Sequence, residues 1–133
     1  MTGFFSTKEL KVKTENGRNF TLLEPFTFTR PSTEVITVGA GAQSDGASIP
    51  EILWSTGLAP FGPWFRAAFL HDWLYRYTET PKDTANLILW EAMLAGGTPE
   101  ETARIIYNAV RVGGGHAFTK DRQEEGRRHD VAG

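Results

Sequence analysis

Residues 1–38 alternate between apolar and polar side chains, and from residue 49 onward the apolar positions recur at helical spacing. Leu10-Lys11-Val12-Lys13 and Phe20-Thr21-Leu22-Leu23 flank Glu15-Asn16-Gly17-Arg18. Asn-Gly supplies the positive φ angles of a tight hairpin turn, so the two flanks read as paired strands. Phe26-Thr27-Phe28-Thr29 alternates strictly, as a strand with one buried face does. Glu34-Val35-Ile36-Thr37-Val38 is β-branched and follows a turn at Pro31-Ser32, which makes it the next strand. These segments predict a small antiparallel sheet.

Gly39 through Pro50 is small, polar and Gly-rich and reads as a linker from sheet to helices. Ile49–Trp54 predicts a short apolar helix ended near Gly57, and Pro60-Phe61-Gly62-Pro63 a turn. A helix follows from Trp64 to Tyr77. Phe65, Phe69 and Trp73 lie at i, i+4, i+8, with Ala67, Leu70 and Leu74 beside them, so this helix should be central and largely buried. Thr80-Pro81-Lys82-Asp83 predicts the next start, with Thr80 capping and Asp83 reaching back. Ala85, Ile88, Leu89, Ala92 and Met93 form its apolar face, and Gly96-Gly97 ends it. Thr98-Pro99-Glu100-Glu101 repeats the signal for a last helix, carried by Ile105, Ile106, Ala109, Val110 and Val112 up to Gly113. The expected fold class is α+β, with a small N-terminal antiparallel sheet packed on a C-terminal bundle of three to four helices. Residues 1–118 read as one domain and 119–133 as a charged C-terminal tail.

Composition narrows the function classes. At 133 residues with 40% hydrophobic content the chain can bury a core without staples. With no cysteine it has no disulfide framework, thiolate metal site or cysteine nucleophile. A formal net charge of −2 supplies no general attraction to nucleic acid, and none is expected as a partner. The N-terminus lacks the pattern of a secretory signal, and no apolar run reaches the ~20 residues that span a bilayer. The expectation is a soluble protein made in the cytoplasm.

One polar group stands out on the central helix. His71 and Tyr75 are i, i+4 and share a face, while Asp72 is turned about 100° away. Flanked by Phe69, Leu70, Trp73 and Leu74, an unpaired imidazole or carboxylate would cost several kcal/mol. Two roles are open: a satisfied core network, or a general base or metal ligand at His71. A base would need a partner on its second nitrogen, and the following helix offers Asp83, Asn86 and Glu91. Asp83 and Asn86, at i and i+3, could both approach His71 or Tyr75; Asp83 already serves the helix start and Glu91 reads as a solvated face, so Asn86 is the favoured partner and Asp83 its substitute. Asp45-Gly46-Ala47-Ser48-Ile49-Pro50 is the second candidate, either a turn with Ser48 as a helix cap or a loop whose Asp45, together with Asp72, holds a divalent cation such as calcium. Ser48 lacks a nucleophile elbow. His116 and His129 read as exposed, and Arg127-Arg128 as a solvated segment.

Taken together, Asp45-Gly46-Ala47-Ser48-Ile49-Pro50, Trp54, Ala67-Ala68-x-x-His71-Asp72-x-Leu74-Tyr75, Ala85-Asn86 and Glu91-Ala92-Met93 resemble the phage and prophage proteins grouped as domain of unknown function 1353. The resemblance covers roughly residues 30–115 and implies a phage or prophage origin without implying an activity. The family pattern usually carries Asp where this chain has Asn86. A looser similarity links His71-Asp72-x-x-Tyr75 to secreted phospholipases A2, which place this motif on one helix, an Asp on the facing helix and calcium in a Gly-rich loop. The chain lacks their cysteines and full calcium loop. Two functions follow as expectations. One is a hydrolase of an ester or envelope polymer, with His71 activating water, Asp45 and Asp72 holding a cation, and Tyr75 and Asn86 orienting the base. The other is a non-enzymatic virion component, a tail or baseplate module made in the host cytoplasm, whose partners are other virion proteins and whose polar trio is a core feature.

Overall fold

The structure, a computed structural model, describes residues 2–17, 19–45 and 62–112. Six short strands precede the helices: β1 (Phe4–Phe5), β2 (Val12–Lys13), β3 (Phe20–Leu22), β4 (Phe26–Thr29), β5 (Val35–Val38) and β6 (Gln43–Ser44). The helices are α1 (Phe65–Tyr77), α2 (Lys82–Ala95) and α3 over residues 100–112. The α+β class read from the sequence is the one observed, with two three-stranded antiparallel sheets in place of one. The first sheet has the order β1-β4-β5 and the second β2-β3-β6.

Alternation sets the faces of both sheets. Phe26 and Phe28 of β4 point into the core, and Thr27 and Thr29 point the other way. In register Phe26 opposes Val38 and Phe28 opposes Ile36, so β4 and β5 present one apolar face. Phe20 and Leu22 do the same for β3. In the β2–β3 hairpin Gly17 has φ 73°, and the Asn19 N–H donates to Asn16 Oδ1 at 2.9 Å. The connection spans residues 14–19, longer than the minimal turn that Asn-Gly permits, because the last β2–β3 pair is Lys13 opposite Thr21 and β3 begins at Phe20.

The stretch read as a linker is partly sheet. Gln43 and Ser44 pair with Thr21 and Phe20 and add β6 to the second sheet. Polar composition hid this strand, since only Ser44 of the pair is buried. The short helix expected at Ile49–Trp54 and the tail at 119–133 lie outside the described residues.

On α1, Ala67 through Asp72, Leu74 and Tyr75 are all buried, which fits a helix covered on several sides. On α2 the five apolar positions named from the sequence are all buried, and they face α1 and the sheets. In α3 the buried stripe is Ala103, Ile106 and Val110, at i, i+3, i+7. Ile105, Ala109 and Val112, named among the apolar positions that carry this helix, are exposed. The two Thr-Pro starts also differ from expectation. Pro81, with φ −61° and ψ 149°, is itself the N-cap of α2, so Thr80 sits one residue too early to reach the first turn. Its hydroxyl lies 2.8 Å from that of Thr78 instead. Thr98 likewise caps nothing, and its hydroxyl is buried without a hydrogen-bond partner. Asp83 remains in the first turn of α2, where the helix dipole favours a carboxylate.

The end of α2 is a Schellman motif. Thr98 N–H donates to Met93 O at 2.9 Å, Gly97 N–H to Leu94 O at 3.2 Å, and Gly97 has φ 92°. A Cβ on Gly97 would meet no atom within 4 Å, so only backbone strain opposes a side chain there. Gly97→Ala should therefore lower the unfolding free energy by about 1–2 kcal/mol. Thr33, a β-branched residue at φ 76°, is the reverse case, and Thr33→Gly should raise it by about 0.5–1 kcal/mol. Urea midpoints of the two variants check both.

Candidate functional site

The α1–α2 hairpin places His71, Tyr75 and Asn86 against one another. His71 Nε2 lies 2.8 Å from Asn86 Oδ1, and the Tyr75 hydroxyl donates to the same oxygen at 2.8 Å. The His71 and Tyr75 rings, one helical turn apart, have centroids 4.1 Å from each other. An amide oxygen only accepts, so His71 carries its proton on Nε2 and keeps the lone pair of a neutral ring on Nδ1. Asn86 is thus the partner on the second nitrogen that the sequence demanded. Asp83 is exposed at the start of α2 and does not take that place.

Burial decides the charge of the ring. His71 and Asn86 are each 1% exposed. Desolvation lowers the His71 pKa to about 4, the Asn86 hydrogen bond raises it less, and the positive charge of Lys82 adds to the lowering. The ring is neutral at neutral pH, the protonation state of a base. One donor stays unsatisfied: Asn86 Nδ2 is buried with no hydrogen-bond partner. Such a group costs about 1–3 kcal/mol, and Trp64 Nε1 and the Thr98 hydroxyl are buried in the same way.

Asp72 points elsewhere on α1, as its 100° offset requires. Its Oδ2 accepts a hydrogen bond from the Ser44 hydroxyl, and both residues are buried. The next residue along, Asp45, accepts from the Arg76 guanidinium at 3.1 Å. Strand β6 is thus stitched to α1 at two consecutive residues. Asp45 and Asp72, the pair named as cation ligands, are therefore each engaged by a protein donor, and Asp45 carries a positive guanidinium where a cation would sit. Among the described residues no group of three His, Asp or Glu side chains could hold a metal ion. Among the described residues the donor set does not fit a cation. Gly46–Pro50 with Ser48, along with His116 and His129, lie outside the described residues.

Two contacts escaped the sequence. Ser44 was hidden in the apparent linker. Glu91, read as a solvated face, accepts from Arg30 Nε at 2.8 Å with both side chains largely buried, and Arg30 also reaches Glu34 at 2.8 Å. An Arg at the end of β4 and a Glu on α2 are 61 residues apart, and no local signal pairs them.

The lowered pKa of His71 fixes the sign of a pH effect. Between pH 6.5 and about 4 the unfolded chain binds a proton that folded His71 refuses, so stability is full above 6.5 and falls as pH falls. The His71 share of that loss should be roughly 3 kcal/mol, complete near pH 4. Urea unfolding from pH 7 to 4 should show a shallower decline in His71→Gln than in the parent.

No helix among the described residues is long and apolar enough to cross a membrane. No solved structure matches the chain. Among curated proteins it is 35% identical over 95 residues to the uncharacterized protein y4jT of Sinorhizobium fredii, a match covering 68% of this chain and 27% of that protein. It is 37% identical over 75 residues to the uncharacterized protein y4iH of the same organism, covering 51% of this chain and 29% of that protein. The chain thus spans less than a third of the length of either relative. The family model described as protein of unknown function (DUF1353) matches residues 20–110, a span that includes Ser44, Asp45, His71, Asp72, Tyr75 and Asn86, and the chain belongs to that family.

Proposed function

We propose that the chain carries a hydrolytic site with His71 as general base and an ester, in a small molecule or an envelope polymer, as substrate. The observation that carries this reading is the double hydrogen bond on Asn86 Oδ1. It fixes the His71 tautomer with the basic lone pair on Nδ1. In the reaction, Nδ1 takes a proton from water as the water oxygen bonds to the ester carbonyl carbon. The imidazolium then returns that proton to the alkoxide as the ester C–O bond breaks, giving acid and alcohol. Asn86 and Tyr75 are positioning residues. Because an amide stabilises the imidazolium less than a carboxylate does, this base is weaker than a His-Asp pair.

A second reading is favoured by a different observation, the near-complete burial of His71, Asp72 and Asn86. In it the trio only ties α1 to α2 and β6, and the protein is a non-enzymatic virion component of a tail or baseplate. The phage origin implied by the sequence motifs supports both readings alike.

Hydrolysis of p-nitrophenyl butyrate, phosphatidylcholine vesicles and O-acetylated peptidoglycan (followed by acetate release) by the full chain separates them. Turnover of at least one substrate is expected, with kcat reduced about 10²–10⁴-fold in His71→Gln. Asn86→Asp should move the acid limb of kcat/KM up by about one pH unit or more, which a purely structural change would not do. No turnover on all three, or turnover unchanged in His71→Gln, ends the hydrolytic reading.

A further inference from the structure

Among the described residues, the first turn of α1 collects hydrogen-bond donors that meet no acceptor. Trp64, the N-cap, makes no side-chain cap, and no acidic residue stands in that turn. The Phe65 N–H donates to Gly62 O at 3.0 Å and the Ala68 N–H to Trp64 O at 2.8 Å. Between them, the N–H groups of Arg66 and Ala67 find no acceptor among the described residues. These are positions where the positive end of a helix dipole concentrates.

Arg66 brings a full charge to the same turn. A helical side chain leans toward the N-terminus of its helix. Arg66 Nη2 stands 3.4 Å from where a Cβ on Gly96 would lie, and Pro63 O is 2.8 Å from that same point. The guanidinium is held there, with Nη1 donating to Thr7 O at 2.6 Å and Cζ 4.3 Å from the centre of the Phe5 ring. Arg30, Arg76 and Arg104 each meet a carboxylate, whereas the half-buried Arg66 meets none among the described residues. Burial holds its pKa below the ordinary arginine value, with no acid to offset the shift. The carbonyls that end α2 do not serve instead, since Ala92 O, Met93 O and Leu94 O accept from the N–H groups of Gly96, Thr98 and Gly97.

A third donor, independent of both, lies in the turn. Trp64 is 4% exposed, and its Nε1 is buried with no hydrogen-bond partner. Cε2 and Cζ2, the ring atoms on the Nε1 side, are 2.7 and 2.6 Å from the place of a Gly62 Cβ, so the N–H edge of the indole is turned into the Gly62–Trp64 turn. A guanidinium fork occupies both oxygens of a carboxylate, whereas a tetrahedral phosphate keeps oxygens for the backbone and the indole.

We propose that the start of α1 binds a phosphate group, free or as a small-molecule monoester, through the Arg66 guanidinium, the Arg66 and Ala67 N–H groups and Trp64 Nε1. The site uses no residue of the Asn86 network and does not depend on the hydrolytic reading.

Nuclear magnetic resonance of the isotope-labelled full chain, titrated with inorganic phosphate, glycerol phosphate, acetate and chloride at matched ionic strength, tests it. Phosphate is expected to shift the Arg66 and Ala67 amide signals and the Trp64 indole signal saturably, with a Kd on the order of 1 mM. Acetate and chloride should leave these signals near their starting positions. Glycerol phosphate separates the sources: tighter binding than inorganic phosphate assigns the site to a monoester, and equal or weaker binding to the free ion. Arg66→Met should weaken binding about tenfold or more, and Trp64→Phe, which keeps an aromatic ring and loses Nε1, about threefold. His71→Gln should bind like the parent. The parent titration decides the matter even if either variant unfolds. No saturable shift with either phosphate overturns the proposal. So do shifts confined to other amides, an equal response to acetate or chloride, or an Arg66→Met variant that binds like the parent.

Discussion

The side-chain oxygen of Asn86 is where α1 and α2 meet, and the arrangement of the C-terminal half follows from what it accepts. A buried amide between two helices fixes both their rotation and their register, since Tyr75 and His71 are one turn apart and must reach the same atom. Sliding α2 by one residue would turn Asn86 some 100° away and take its oxygen from both the imidazole and the phenol. Apolar packing around it, from Leu70, Leu74, Leu89 and Met93, supplies most of the free energy of burial but tolerates several registers. The polar contact chooses among them.

The same helix is fixed from its other side by the sheet. Ser44 reaches Asp72 and Asp45 reaches Arg76, so β6 lies along α1 at a set depth. Arg30 bonds Glu91 and anchors the end of β4 to α2. These ties link each sheet to a different helix of the hairpin. The His71 network sits between them, shielded well enough that its imidazole stays uncharged through the neutral range. That shielding holds the imidazole in one orientation and also closes it off, and the two functional readings divide on that tension.

Thr33, held at positive φ, ends the β4–β5 turn and sets which β5 amides face β4. As a consequence of that turn, Ile36 and Val38 direct their backbone groups to β4, and Val35 and Thr37 direct theirs away from it.

Much was legible in the chain itself. Period-2 alternation in Phe26–Thr29, and helical spacing through Phe65–Tyr77 and Ala85–Met93, determined the strands, the helices and the α+β class, because burial of one face imposes those periods on any such element. The placement of His71 and Tyr75 on one helical face, facing Asn86, was also determined locally, since two antiparallel helices joined by a short turn have few ways to meet. Other features were not local. β6 was invisible because Gln43 and Ser44 carry no apolar alternation and become a strand only when β3 offers its edge. Glu91 looked solvated because its partner Arg30 is remote in sequence, and the apolar Ile105 is exposed because apolarity does not say which side of α3 faces the core. The sequence determined which groups needed partners; tertiary structure alone decided which partners they found, because those contacts join residues that only the folded chain brings within hydrogen-bonding reach.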